Sequence, residues 1–294
     1  MTSVTRQVTD LNGARHVLTR QLGRGGQGAV FEVKGGRLAA KIIFDSSPSR
    51  REQLRNQLTA VKRLPLADLE IARPLEMLRE PVLGYLMELL TGMQPLSALC
   101  NPPKATTSVA SWYFQTGGLR RRLALLARTA DVLSALHGKG LVYSDPSPHN
   151  IFVSEASDAT EVRFIDSDNI HYVSSAGLPT VCTPGYGAPE LIRGASGVNS
   201  LTDAHAFAVL TFQTLSLVHP LIGDAVANGP PEREEEAFAG AMPWVDDPSN
   251  SSNRCSIGIP RSVTLSARLA EISQRAFGAG LAEPLQRPAV SEWA

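Results

Sequence analysis

Three oxygen-bearing side chains stand out between Leu141 and Asp168, in LVYSDPSPHNIFVSEASDATEVRFIDSD: Asp145, Asn150 five residues on, and Asp166 at the end of a second apolar run. A reaction that needs one carboxylate at a hydroxyl and two oxygen ligands on a hard cation can draw all three from such a loop, strand, turn and strand. The same window also reads as a β-hairpin with acidic ends, and the rest of the chain has to decide between them.

Two further stretches supply what phosphate chemistry would use. Leu22 to Val30 reads LGRGGQGAV and carries Gly23, Gly25, Gly26 and Gly28 between two strand-like runs. A backbone without side chains can lie over phosphates and present N–H groups to them. Thirteen residues after Gly28 comes Lys41, in the apolar run LAAKIIF. A lysine in a strand usually snorkels to solvent, but one that follows a glycine hairpin can reach a nucleotide held beneath it.

The elements that would position these groups are legible in outline. Residues 4–44 read as an antiparallel meander with turns at Asn12-Gly13 and Gly35-Gly36, and residues 71–90 as two more strands. Ser49–Leu64 reads as a helix capped by Ser49, with Leu54, Leu58, Val61 and Leu64 on one face. The lobe boundary falls at about Leu90. Leu119–His137 is the clearest helix, with Leu119, Leu123, Leu126, Ala130, Leu133 and Leu136 in one stripe. Thr202–Val218, opened by Asp203, is apolar nearly all round and belongs in a core. The acidic run at 232–236 reads as a solvated helix face, and the tail from Leu265 as two helices joined by a turn. The aromatic cluster Trp112, Tyr113 and Phe114 has no role readable from its pattern.

Composition sets outer bounds. With 294 residues, 43% of them hydrophobic, the chain can bury a sizeable core. Lys plus Arg and Asp plus Glu both number 28, so no global field points to nucleic acid or to an anionic membrane. No apolar run approaches the roughly 20 residues of a membrane span. Cys100, Cys182 and Cys255 lack zinc or disulfide spacing, which fits a reducing cytoplasm. The chain ends at SEWA inside a helix-like pattern and is expected to be one domain of a longer protein.

Taken in order, these pieces resemble the protein kinase family over nearly the whole chain. LGRGGQGAV looks like the nucleotide-covering glycine loop, the Lys41 strand like the one whose lysine contacts the α and β phosphates, and MELL at 87–90 like the hinge. YSDPSPHN resembles the catalytic loop, IDSD stands where Asp-Phe-Gly is expected, and GAPE after Thr183 and Tyr186 resembles the close of the activation segment. DAHAFAVL looks like the central helix whose Asp holds the catalytic loop, and LQRP supplies an Arg expected to pair with Glu190. Aminoglycoside-type kinases share the Asp, Asn and Asp but are not expected to carry the GAPE and LQRP pair.

The resemblance implies an α+β, two-lobed protein kinase-like fold. Residues 1–90 would form a nucleotide-binding lobe, an antiparallel sheet with one helix, and residues 91–294 a mainly helical catalytic and substrate lobe. It implies ATP and Mg²⁺ or Mn²⁺ as cofactors and a Ser or Thr hydroxyl of a protein as acceptor. Asp145 would accept the hydroxyl proton, Asn150 and Asp166 would hold the metal, and Lys41 would neutralise phosphate oxygens. Gly23, Gly25, Gly26 and Gly28 would cover the phosphates. Leu22, Val30, Ala39 and Phe152 would sandwich adenine, with Met87 behind it and Glu88 and Leu90 giving backbone hinge bonds. Glu52, the acid of the first helix, is expected to orient Lys41; the apolar pattern leaves Gln57 as the other occupant of that place.

Four departures from the family pattern bear on rate and control. Ser144 replaces an Arg before the catalytic Asp, Ser147 a Lys near the transferred phosphate, and Ser167 and Asp168 the Phe and Gly of Asp-Phe-Gly. Asp168 reads either as a turn acid or as a further metal ligand. Ser174, Ser175, Thr180 and Thr183 are candidate phosphosites. Two functions follow, an active Ser/Thr kinase or a pseudokinase acting as a nucleotide-responsive binding module. The wording is similar to a bacterial subgroup associated with a von Willebrand type A protein and a metal-dependent protein phosphatase.

Overall fold

The computed structural model describes residues 6–26, 28–44, 47–173 and 182–294, so the candidate phosphosites Ser174, Ser175 and Thr180 lie outside the described residues. The chain divides into two units, Met1–Thr91 with Phe164–Asn169, and Gly92–Arg163 with Ile170–Ala294.

The first unit is built on a six-stranded sheet. Its strands are β1 (Arg6–Thr9), β2 (Arg15–Arg24), β3 (Gly28–Val33), β4 (Leu38–Ile43), β5 (Glu76–Met77) and β6 (Gly84–Glu88), in the order β1-β2-β3-β4-β6-β5. Neighbouring strands run antiparallel. The period of two sorts β4 cleanly. Ala40 joins Val8, Leu18, Phe31, Leu78 and Leu86 in one buried cluster. Ala39 and Ile43 join Leu58, Met77, Tyr85 and Met87 in another. Lys41 shares the parity of Ala39 and Ile43 and so stands on the face that packs against helix α1 (Pro48–Lys62), the helix of Leu58.

That helix starts a residue earlier than the sequence suggests. Ser47 is the N-cap and makes no side-chain cap bond, and Pro48, whose missing N–H costs nothing there, opens the first turn. Two glycines frame Lys41. A Cβ on Gly28 would stand 2.3 Å from the Ile42 carbonyl oxygen, and one on Gly84 2.1 Å from that of Lys41. No other residue lets three strands close up at this point.

The second unit is mainly helical, with α2 (Val109–Gln115), α3 (Gly118–Gly138), α4 (Ser200–Ser216), α5 (Glu232–Phe238) and α6 (Ala267–Phe277). It also carries β7 (Met93–Pro95), β8 (Leu141–Val142), β9 (Ile151–Ser154) and β11 (His171–Tyr172), while β10 (Val162–Phe164) runs out of it at Phe164. Strands β10, β9 and β7 form one sheet in that order, and β8 pairs antiparallel with β11.

Helix α4 is the centre of this unit, as its all-round apolarity requires. A capping box of Asn199 and Thr202 starts it, and Phe207, Phe212 and Leu215 are fully buried. Phe212 packs edge-on against Phe277 and Trp244, with ring centroids 5.9 and 5.7 Å apart. Each such side chain contributes on the order of 1.5–3 kcal/mol of burial.

Helix α3 departs from its expected stripe. Leu123 is exposed, whereas Arg121 and Arg122 are buried. Backbone carbonyls explain this. Arg121 donates to Ala159 and Thr116 at 3.0 and 2.9 Å, and Arg122 to Leu99 at 3.0 Å with its guanidinium 3.8 Å from the Tyr113 ring centroid. The aromatic cluster thus has a structural use: Tyr113 supports Arg122 and donates its hydroxyl to Leu215 O, 3.0 Å. The acidic run 232–236 is exposed on α5 as expected. The second tail helix is replaced by short turns at Ala279–Ala282, Pro284–Gln286 and Val290–Trp293, since Pro284 and Pro288 interrupt the ladder. Among the described residues no helix is long and apolar enough to cross a membrane.

Candidate active site

In the first unit the strand lysine is sequestered with two carboxylates. Lys41 is 5% exposed, and its Nζ donates to Asp166 Oδ1 at 3.0 Å and to both carboxylate oxygens of Asp168 at 2.9 Å. Tyr85, paired across the ladder with Lys41, donates its hydroxyl to Asp168 Oδ1 at 3.4 Å. Burial opposes the charge of Lys41, but the Tyr85 oxygen and the Asp168 and Asp166 carboxylates outweigh it and hold the ammonium well above its ordinary pKa. Removing one member of such a buried set costs about 3–5 kcal/mol, because the other charge is left without compensation.

The expected pair between Glu52 and Lys41 is not made. Glu52 lies on the exposed side of α1, and among the described residues the carboxylate partners of Lys41 are Asp166 and Asp168. Gln57 occupies the facing position and donates Nε2 to the Asp168 carbonyl oxygen, 2.8 Å. The helical repeat makes the reason plain: Leu58 and Val61 are the buried residues of α1, and Gln57 lies beside them while Glu52 does not.

Asp166 has the left-handed φ of 53°, tolerable for Asp, and a side chain 39% exposed. Its Oδ2 makes no hydrogen bond among the described residues. The Ser167–Asn169 turn that follows is held by Ser167, whose Oγ donates to Ala72 O at 3.0 Å.

In the second unit the catalytic-loop residues form a linked set. Asp145 Oδ1 accepts the Thr183 N–H and Oδ2 the Thr183 hydroxyl, both at 2.8 Å. Asn150 Nδ2 donates to Asp145 Oδ2 at 2.9 Å and to its carbonyl oxygen at 3.1 Å, so the Asn150 Oδ1 is left without a hydrogen bond among the described residues. Behind them Asp203, fully buried at the start of α4, accepts N–H groups from Tyr143 at 2.8 Å and Ser144 at 3.0 Å and the His137 Nε2–H at 3.0 Å. Ser144 sits at φ 83° and Asp203 holds it there.

The expected Arg287–Glu190 pair is present, bidentate at 2.6 and 2.7 Å, with the two side chains 1% and 8% exposed. It ties GAPE to the tail. Tyr186, in the same segment, bonds to Gln213 of α4 and stacks edge-on against His219. Ser147, at the position where the family places a Lys near the transferred phosphate, is fully buried. Its hydroxyl has no partner among the described residues, and its N–H donates to Asp145 O at 2.9 Å.

The expected nucleotide-binding residues divide between the units. Leu22 is 40% exposed on β2, and a Cβ on Gly23, Gly25 or Gly26 would meet no heavy atom within 4 Å, so this stretch offers a bare, open backbone of the kind a phosphate chain uses. Ala39 and Met87 are cross-strand partners, 2% and 7% exposed, and Val30 packs half-buried on the same cluster. Glu88 is exposed at the end of β6, with Leu90 half-buried beyond it. Phe152, half-buried on β9, pairs with Pro95 in the second unit.

The donor chemistry fits a hard cation. Among the described residues no cluster of three or more His, Cys, Asp or Glu forms a metal cage. Mg²⁺ rarely needs one: it keeps several waters and takes one or two protein oxygens plus phosphates. Asp166 Oδ2 in the first unit and Asn150 Oδ1 in the second are each an oxygen of that kind without a hydrogen bond among the described residues.

Each unit thus carries groups of the kind expected of a phosphoryl-transfer protein: a strand lysine secured by carboxylates in the first, and in the second a carboxylate bonded to an amide and a hydroxyl with a buried Asp under that loop. Comparison with known proteins specifies the class. The family model described as Protein kinase domain matches residues 16–250. The serine/threonine-protein kinase Pkn1 of Myxococcus xanthus is 32% identical over 212 residues, 68% of this chain and 28% of its own length. The DNA damage-responsive serine/threonine-protein kinase RqkA of Deinococcus radiodurans is 27% identical over 229 residues, 73% of this chain and 32% of its own. Human DCLK2, a serine/threonine-protein kinase, is 29% identical over 180 residues, 60% and 22% respectively. The chain belongs to the protein kinase family, and its sheet unit and helical unit are those of the protein kinase fold. It spans less than a third of the length of the relatives it matches.

Proposed function

We propose that this chain is a serine/threonine protein kinase that transfers the γ-phosphate of ATP to a hydroxyl of a protein substrate. The observation that carries the reading is the set Asp145, Asn150 and Thr183: a carboxylate fixed by an amide, a hydroxyl and a backbone N–H, at the family's position for the group that receives the substrate proton. Lys41 neutralises α and β phosphate oxygens, and the Gly23–Gly28 backbone covers the chain of phosphates. Leu22, Val30, Ala39, Met87 and Phe152 take the adenine, with the backbone of Glu88 and Leu90 as the hinge. Asn150 and Asp166 would hold Mg²⁺, or Mn²⁺, which would neutralise phosphate charge when bound. The free cysteines Cys100, Cys182 and Cys255 suit a cytoplasmic domain, and the von Willebrand type A protein and metal-dependent phosphatase of the resembling subgroup are its proposed partners.

The test is transfer from labelled ATP with Mg²⁺ or Mn²⁺ to a generic protein acceptor and to the chain itself. Incorporation by the wild type that Asp145→Ala abolishes supports the reading. Equal incorporation by both refutes it, and ATP binding without transfer assigns the chain to nucleotide-responsive binding modules.

A further inference from the structure

The lysine that handles phosphates needs an anion to hold it extended, and the acid expected for this, Glu52, lies on the exposed side of its helix. Helix α1 has no other acid. Asp168 meets the requirement instead. It is 7% exposed, both of its carboxylate oxygens lie 2.9 Å from Lys41 Nζ, and Tyr85 closes the cluster from the β6 side. Its backbone carbonyl is gripped by Gln57 at 2.8 Å. A carboxylate that engages one ammonium through both oxygens fixes its position better than a single contact does. Asp166, by contrast, uses one oxygen on Lys41 and is 39% exposed.

We propose that Asp168 is the positioning residue for Lys41, in place of a glutamate on α1, and that Gln57 clamps the 167–169 turn that carries it. The inference rests on the kinase reading for its catalytic meaning. The division of labour follows from the geometry. Asp168 is committed to the lysine, Asp166 keeps an oxygen for a cation, and the third N–H of Lys41 passes from Asp166 to a phosphate oxygen. Both acids ride on one short segment. Helix α1 contributes a neutral hydrogen bond, so outward movement of α1 breaks that bond and not the ion pair. Control through the helix is correspondingly weak, and control through the Asp166–Asp168 segment strong.

Two readouts test this on the full chain. In metal-free, nucleotide-free protein, a denaturation cycle should show Lys41→Met and Asp168→Asn to be coupled: the midpoint shift caused by Asp168→Asn falls at least twofold once Lys41 is gone. Lys41→Met and Glu52→Gln should be additive. In kinetics, Asp168→Asn should lower kcat about 100-fold with KM for ATP changed less than about threefold, Asp168→Glu should recover part of the loss, and Glu52→Gln should stay within about twofold. Additivity of Lys41→Met with Asp168→Asn, or a kcat loss in Glu52→Gln equal to that in Asp168→Asn, overturns the inference alone. A wild type without phosphate transfer refutes the kinase reading and the catalytic role together.

Discussion

Asp203 offers the sharpest test of how the fold holds its chemistry, because an Asp203→Asn change alters one charge and almost no volume. The carboxylate is fully buried and accepts three hydrogen bonds, from Tyr143 N and His137 Nε2 on Oδ2 and from Ser144 N on Oδ1. Hydrogen bonds to a charged acceptor contribute about 1.5–3 kcal/mol each, and a buried donor left without a partner costs about 1–3 more. Asn keeps one acceptor oxygen and turns an NH₂ toward a backbone N–H, so one charged bond is lost and one donor is orphaned. The sum is about 2.5–6 kcal/mol. Ser144 is the residue released, and its φ of 83° costs a non-glycine residue about 1–2 kcal/mol that the Asp203 contact sustains. Relaxation of Ser144 moves Asp145, its neighbour in the chain, and a displacement of about 1 Å at a catalytic group can cost 100-fold in rate. Urea unfolding of the full chain, at an m-value of about 3 kcal/mol/M, should therefore show a midpoint lower by about 0.8–2 M, with kcat down about 100-fold. A midpoint shift under about 0.3 M together with kcat within threefold of wild type would refute the argument.

Three further outcomes are expected. Glu190→Ala leaves Arg287 buried and charged with the Gly280 and Leu201 carbonyls as its remaining partners among the described residues, and should cost about 3–5 kcal/mol in denaturation; Arg287→Met combined with Glu190→Leu should cost clearly less than the sum of the single changes. His219, whose Nε2–H donates to Gly185 O at 2.9 Å, is held by burial from 6.5 down to about 4, so the unfolded chain takes the proton first. Its stabilising contribution is whole above pH 6.5 and shrinks as pH falls to about 4, by up to about 3 kcal/mol, and unfolding measured from pH 7 to 4 should flatten in His219→Gln. Thr183→Ala removes the hydroxyl from Asp145 Oδ2 and keeps the backbone contact, so kcat should fall about tenfold, while Thr183→Ser stays near wild type; equal loss in both variants would show that the hydroxyl is not what matters.

Residues whose structural place comes from order and spacing along the chain are legible in the sequence: Lys41 in the strand after the glycine run, Asn150 beside Asp145, Asp203 opening an apolar helix, Arg287 set against Glu190. Residues whose roles come from where a side chain points are not. Glu52 and Gln57 are five apart on α1, about 500° of helical turn, and only the packing of Leu58 and Val61 shows which of them faces the Lys41 cluster. Arg121 and Arg122 fall outside the apolar stripe of their helix, yet carbonyls at Leu99 and Ala159, contributed by segments distant in the chain, and at Thr116 just before the helix draw both inward. Nothing in a local pattern marks a carbonyl as needing a donor. The proline-broken tail, by contrast, carries its own signal in Pro284 and Pro288, and the expectation of a second helix gives those two residues too little weight.

The three serines that depart from the family pattern do not share one meaning. Ser167 is fully buried and bonds Ala72 O, which fastens the turn bearing Asp166 and Asp168 to the first unit through a hydrogen bond where a phenyl ring would use packing. Ser144 loses the cation that would receive a phosphorylated activation segment, but its N–H remains on Asp203, so the loop's support is untouched by the change of side chain. Ser147 is different again. Its side chain is fully buried, and its hydroxyl has no hydrogen-bond partner among the described residues. Position 147 is thus a packed position of this loop as well as the place of a missing charge. The loss of rate that a missing lysine implies would have to be offset by groups that stay in place, namely Lys41 locked by Asp168 and Asp145 locked by Asn150 and Thr183. Of the positions that depart from the family, Asp168 alone adds a charge, and it adds it where the lysine's expected partner is absent.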